Sequence, residues 1–98
     1  MEKDIEKYLK NQIDDMGGLC LKFISPGNAG VPDRIVILPG GRVWFVELKA
    51  EGGRVRPLQR WWQKRLQAVG IPSLIIKNKV EARVFITLLR DVEAGHEV

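Results

Sequence analysis

The stretch Trp44-Phe45-Val46-Glu47-Leu48-Lys49 sets a carboxylate and an ammonium two residues apart at the end of an apolar, strand-like run. Side chains alternate along a strand, so Glu47 and Lys49 share a face with Val43 and Phe45, while Trp44, Val46 and Leu48 take the other. A second apolar run, Arg34 to Leu38, lies just upstream, and Pro39-Gly40-Gly41 between them is strong turn chemistry. A two-residue turn at Gly40-Gly41 pairs Leu38 with Val43 and Arg34 with Glu47, and it leaves Asp33 opposite Leu48, diagonal to Glu47. A longer loop moves the register by one or two residues and still keeps Asp33 near Glu47 and Lys49. The hairpin thus gathers two carboxylates and one ammonium.

Two carboxylates held together repel, and one is driven towards protonation unless a cation intervenes. Oxygen donors of this kind suit Mg²⁺ or Mn²⁺, which keep several waters and accept phosphate oxygens as further ligands. Such an ion acidifies bound water and neutralises charge developing on a phosphodiester. Lys49 then orients or deprotonates the attacking water, or counters the negative charge of the transition state. Phosphodiester hydrolysis is the reaction these parts would perform. Glu-x-Lys by itself is usually a surface ion pair of small energetic worth. Asp33, the preceding Val31-Pro32, the hairpin spacing and the apolar surroundings favour the catalytic reading.

The elements that position these groups follow from periodicity. Ile5, Tyr8, Leu9, Ile13 and Met16 recur at helical spacing, and Gly17-Gly18 stops that helix. Residues 19–24, 34–38 and 42–49 read as strands, the first closed by Ser25-Pro26-Gly27-Asn28. Pro57 opens a helix carrying Leu58, Trp61, Trp62, Leu66 and Val69, with Gly70 at its C-terminal cap. Residues 72–77 make a fourth strand, and 80–90 a last amphipathic helix. The hairpin makes strands two and three antiparallel, and the helical connection makes strands three and four parallel with a right-handed crossover. The expected fold is α/β, a mixed sheet flanked by helices, in one domain spanning 1–98 with 91–98 a frayed tail.

The 98 residues carry a net charge of +4, 45% hydrophobic and 29% charged residues, which is ordinary for a globular chain and permits a polyanionic partner. No apolar run reaches the length of a membrane span, and the charged start Met1 to Lys10 lacks the apolar core of a signal peptide. Cys20 is the only cysteine, so internal disulfides and cysteine-based zinc sites are excluded. It reads as a small core residue in a reducing, cytoplasmic protein.

The segment from Gly30 to Ala50, followed by Pro57-Leu58-Gln59-Arg60-Trp61-Trp62, closely resembles the VRR-NUC family, the virus-type replication-repair nucleases of the PD-(D/E)XK superfamily. The matching motif set is Pro32-Asp33, thirteen intervening residues, Glu47-Leu48-Lys49, and Gln59 on the next helix. The resemblance implies a restriction-endonuclease-like αβββαβ core and a Mg²⁺- or Mn²⁺-dependent endonuclease. It implies metal ligation by Asp33, Glu47 and the Leu48 backbone carbonyl, Lys49 as the catalytic lysine, and Gln59 facing the site. A first-helix glutamate completes the acidic cluster in this superfamily; Glu2 fits best, with Glu6 the alternative. Small members of this kind are typical of phages, where the setting is the host cytoplasm, and they resemble homodimeric Holliday-junction resolvases. A homodimer acting on branched DNA is therefore expected; a non-catalytic nucleic-acid-binding module on the same fold is the alternative.

Basic residues cluster around the motif. Arg34, Arg54, Arg56 and Arg60 are expected to touch phosphates, with Lys22 and Ser25 as further backbone contacts; Arg42, Lys64 and Arg65 extend the group. Trp61 and Trp62 are adjacent on a helix, so one is expected in the core and the other at a boundary or dimer interface. His96 is assigned no role.

Overall fold

The computed structural model describes residues 2–95, and of Glu2 the backbone alone. The elements run α1 (Glu2–Asp15), β1 (Leu19–Lys22), β2 (Arg34–Leu38), β3 (Arg42–Leu48), α2 (Pro57–Ala68), β4 (Ser73–Ile76) and α3 (Lys79–Glu93). One sheet has the order β1-β2-β3-β4, antiparallel except for the parallel β3–β4 pair joined through α2. This is the αβββαβ order expected from the sequence.

Core formation follows the periodicity of the helices and strands. Ile5, Leu9 and Ile13 repeat every four residues on α1 and are buried, as are Ala82, Phe85, Ile86 and Leu89 on α3. Together they cover the sheet face carrying Cys20, Val36, Leu38, Val46, Leu48 and Ile76. Burial pushes the Cys20 thiol pKa up, in keeping with a packing role. No helix among the described residues is long and apolar enough to cross a membrane.

Three details depart from the sequence reading. First, Leu38 pairs with Arg42 and Arg34 with Val46, one residue away from the two-residue-turn register. The loop is Pro39-Gly40-Gly41, closed by the Gly41 N–H donating to the Leu38 carbonyl at 3.1 Å, with both glycines at positive φ (90° and 83°). The shorter turn would pair Pro39 with Arg42, and proline has no N–H for a ladder. Second, α2 buries none of its residues: Leu58 and Trp61 are exposed, as is Val69 at its C-terminal cap. It rests on β4 through polar contacts, Gln63 and Gln67 each donating to the Ser73 carbonyl at 3.0 and 3.2 Å. Third, α3 continues beyond Asp91, where fraying was expected, to Glu93. The Arg42 guanidinium donates to the Val92 carbonyl and to Glu93 Oε1, both at 3.2 Å, and ties this last turn to the sheet. Residues 96–98, including His96, lie outside the described residues.

Candidate active site

The one-residue register difference decides the layout of the site, because a slip of one residue exchanges the faces of a strand. With Arg34 opposite Val46, continuing the ladder sets Asp33 level with Glu47. Both carboxylates then belong to the sheet face away from α1 and α3. Asp33 Oδ1 accepts the Leu48 N–H at 3.2 Å, so this carboxylate reaches across to β3 between Glu47 and Lys49. Asp33 is itself held by its carbonyl, which accepts the Phe23 N–H at 2.9 Å from the segment following β1.

Glu47 is buried, with 8% of its surface exposed. Gln59, on the first turn of α2, donates from Nε2 to Glu47 Oε2 at 3.3 Å and accepts the Arg56 N–H through Oε1 at 2.9 Å. One amide therefore joins the carboxylate to the start of α2, which explains why a glutamine serves here: it needs a donor at one end and an acceptor at the other. Lys49 is half-buried just past β3, where its backbone N–H donates to the Ile76 carbonyl at 2.9 Å.

Arg34 does not project to solvent as a phosphate contact. It shares the buried face with Val36 and Leu38 and is 7% exposed. Its Nη1 donates to the Asp33 carbonyl at 2.9 Å and lies 3.3 Å from Asp33 Oδ2, while Nη2 donates to Glu6 Oε2 on α1. A single guanidinium thus bridges α1 to Asp33. The strand alternation carried the signal for this role, since Arg34 falls on the face of Val36 and Leu38 and so had to find internal partners.

The remaining expected residues fall as follows. Arg54 and Arg56 are exposed in the loop after Lys49, and Arg60 is exposed on α2. Lys22 is exposed at the end of β1, and Ser25 is half-buried, its Oγ accepting from Asn28 Nδ2 at 2.9 Å. Neither tryptophan enters the core: Trp61 is 50% exposed, and Trp62 is half-buried with its Nε1 donating to the Ala29 carbonyl at 2.9 Å. Trp62 thereby clips the 23–33 connection onto α2. The side chain of Glu2 lies outside the described residues, and Glu6 is bonded to Arg34.

Gly30 lies where that connection crosses Leu58, at φ +87°, and an added Cβ would sit 2.8 Å from Leu58 Cγ and 3.0 Å from its backbone carbon. Gly30→Ala is therefore expected to lower stability by about 1–3 kcal/mol and to displace the start of α2 that carries Gln59. A thermal melt of the variant checks the first effect, and a melting temperature equal to wild type would contradict it.

Among the described residues no three His, Cys, Asp or Glu side chains gather in one place. Asp33 and Glu47 nevertheless offer hard, anionic oxygens from neighbouring strands, with the Leu48 carbonyl between Glu47 and Lys49. This donor set fits a hard divalent cation that takes its other ligands from water and phosphate.

A small α/β domain of αβββαβ order, presenting two carboxylates and a lysine at adjoining strand ends, defines a restriction-endonuclease-like fold. Comparison with known proteins is specific. The VRR-NUC domain family matches residues 3–79. A solved structure described as a VRR_NUC domain superposes with a TM-score of 0.81 at 32% identity, covering 88% of this chain and 94% of the other. A protein of Acyrthosiphon pisum secondary endosymbiont phage 1, named "Putative nuclease p44", is 42% identical over 78 residues, 80% of this chain and 84% of that protein. The chain belongs to the VRR-NUC nuclease family.

Proposed function

We propose that this nuclease is a Mg²⁺- or Mn²⁺-dependent DNA endonuclease that hydrolyses phosphodiester bonds in branched duplex, as a Holliday-junction resolvase does, in replication, recombination or repair. The observation that carries the reading is the reach of Asp33 Oδ1 to the Leu48 N–H, which brings this carboxylate alongside Glu47 and Lys49. Asp33, Glu47 and the Leu48 carbonyl would hold the divalent ion, with Glu2 as a further ligand. When bound, the ion supplies charge neutralisation at the scissile phosphate and a more acidic water.

The chain's own residues do the rest. Arg34 holds Asp33 from behind, and Gln59 holds Glu47 from α2, so both carboxylates are oriented before substrate arrives. Lys49 lies on the strand face of Glu47, where its Nζ orients the attacking water and offsets charge building on the phosphate oxygens. Arg54, Arg56 and Arg60, with Lys22 and Ser25, contact flanking phosphates without reading bases. Exposed Leu19 and Leu21 on the sheet face opposite the core, with Leu58 and Trp61 on α2, form apolar surface suited to a homodimer, whose two sites would make paired cuts across a junction. The cytoplasm, that of the host for a phage-borne gene, is the expected setting.

Incubating the protein with labelled four-way junction, flap and linear duplex, in Mg²⁺, Mn²⁺ or EDTA, tests the reading. Metal-dependent cutting that favours the junction supports it. Binding without cutting in any metal supports a non-catalytic module instead. Sedimentation showing a monomer at micromolar concentration on junction DNA would overturn the dimer.

A further inference from the structure

Beside the site, on the α1 side, lies a groove of about 550 Å³ whose walls include Lys7 and Tyr8 of α1, Glu51, and Lys77 and Lys79 at the end of β4 and the start of α3. Leu48 pairs with Ile76 in the parallel ladder, so continuing the register sets Lys77 level with Lys49, about 4.8 Å away across the strands. Lys77 is fixed by its backbone N–H, which donates to Glu81 Oε1 at 2.8 Å. The Lys79 ammonium sits 5.3 Å from the centre of the Tyr8 ring. Asp4 also lines the groove, yet among the described residues neither it nor Glu51 forms an ion pair with Lys7, Lys77 or Lys79. Lys77 also lines a smaller hollow with Arg60 on the α2 side. Lys7, Lys79, Lys77 and Arg60 therefore follow one another from α1, past the strand end bearing Lys49, to α2, with Asp4, Glu51 and Glu81 set among them.

We propose that this groove is a strand-binding track, in which Lys77 and Lys79 hold backbone phosphates of the nucleic acid on the α1 side of the site. It rests on the nuclease reading above. Several lysines spaced along one groove suit a repeating polyanion better than a single small anion, and contacts of this type are independent of sequence. Tyr8 holds the Lys79 ammonium in place, so the contact is organised before binding.

The test is fluorescence anisotropy of a short labelled duplex in EDTA at a series of salt concentrations. Comparison is made between wild type, the double variant K77Q/K79Q, and R83Q, which removes an exposed charge on α3 outside the groove. The slope of log affinity against log salt is expected to fall by about 1 per lysine, hence about 2 in the double variant, and to hold in R83Q. K79E, at an exposed position, is expected to weaken binding more than K79Q and guards against misfolding of the double variant. A wild-type slope in K77Q/K79Q, from protein that cuts DNA as wild type, overturns the groove alone. A wild type that neither binds nor cuts DNA overturns the nuclease reading and the groove with it.

Discussion

Asp33→Asn is expected to cut the rate of phosphodiester cleavage by about 10³-fold while leaving the chain folded. The amide oxygen of asparagine can still accept the Leu48 N–H that Asp33 Oδ1 accepts at 3.2 Å, so the strand contact survives, while the negative charge and its ion pair with Arg34 go. Transition-state charge stabilisation by a bound divalent ion amounts to several kcal/mol, and about 1.4 kcal/mol corresponds to each factor of ten. Lys49→Ala removes the neighbouring ammonium and is expected to cost about 10²–10⁴-fold. Single-turnover cleavage beside a circular dichroism melt separates chemistry from folding. Cleavage within a few-fold of wild type in either variant would remove that residue from the reaction.

The second large effect falls on stability. Arg34→Met leaves Glu6 and Asp33 without their shared guanidinium and puts an uncharged chain among Val36 and Val46. Removing one partner of a buried ion pair costs about 3–5 kcal/mol. Here the carboxylates are 35% and 34% exposed, so water recovers part of the loss and about 2 kcal/mol is expected. Urea unfolding reads this as a lower midpoint at unchanged slope. Arg34→Lys is expected to recover little, because one ammonium cannot match the two-sided reach of the guanidinium. A surface phosphate contact would behave in the opposite way, with wild-type stability and a reduced salt dependence of DNA binding.

Arg34 also illustrates where the sequence was legible. Charge and proximity to the motif suggested an outward-facing DNA contact, whereas the alternation of Arg34, Val36 and Leu38 placed it on the buried face. The strand period was the stronger guide, but its use depended on the hairpin register. Counting two turn residues paired Arg34 with Glu47; a three-residue loop, imposed by the missing N–H of Pro39, paired it with Val46 and brought Asp33 level with Glu47.

Elements with a strong period were readable in order and type. Ile5, Leu9 and Ile13 marked α1, and the apolar runs marked the strands, because burial of one face is what stabilises them. The helix of Trp61 and Trp62 misled in part. Its apolar spacing was real, yet it touches the sheet by glutamine amides, and Trp62 secures a loop instead of filling a core. Local pattern reports that an apolar face exists, not what lies against it. Lys77 gave no sequence signal, since its position beside Lys49 arises only from the parallel pairing of β3 with β4.

Mn²⁺ binding, followed by the loss of the free-ion electron paramagnetic resonance signal, tests most directly whether Asp33 and Glu47 share a cation. Saturable binding by the wild-type protein, lost in Asp33→Asn and again in Glu47→Gln while both variants keep their melting transitions, is the expected result. Undiminished Mn²⁺ uptake in both variants would contradict it.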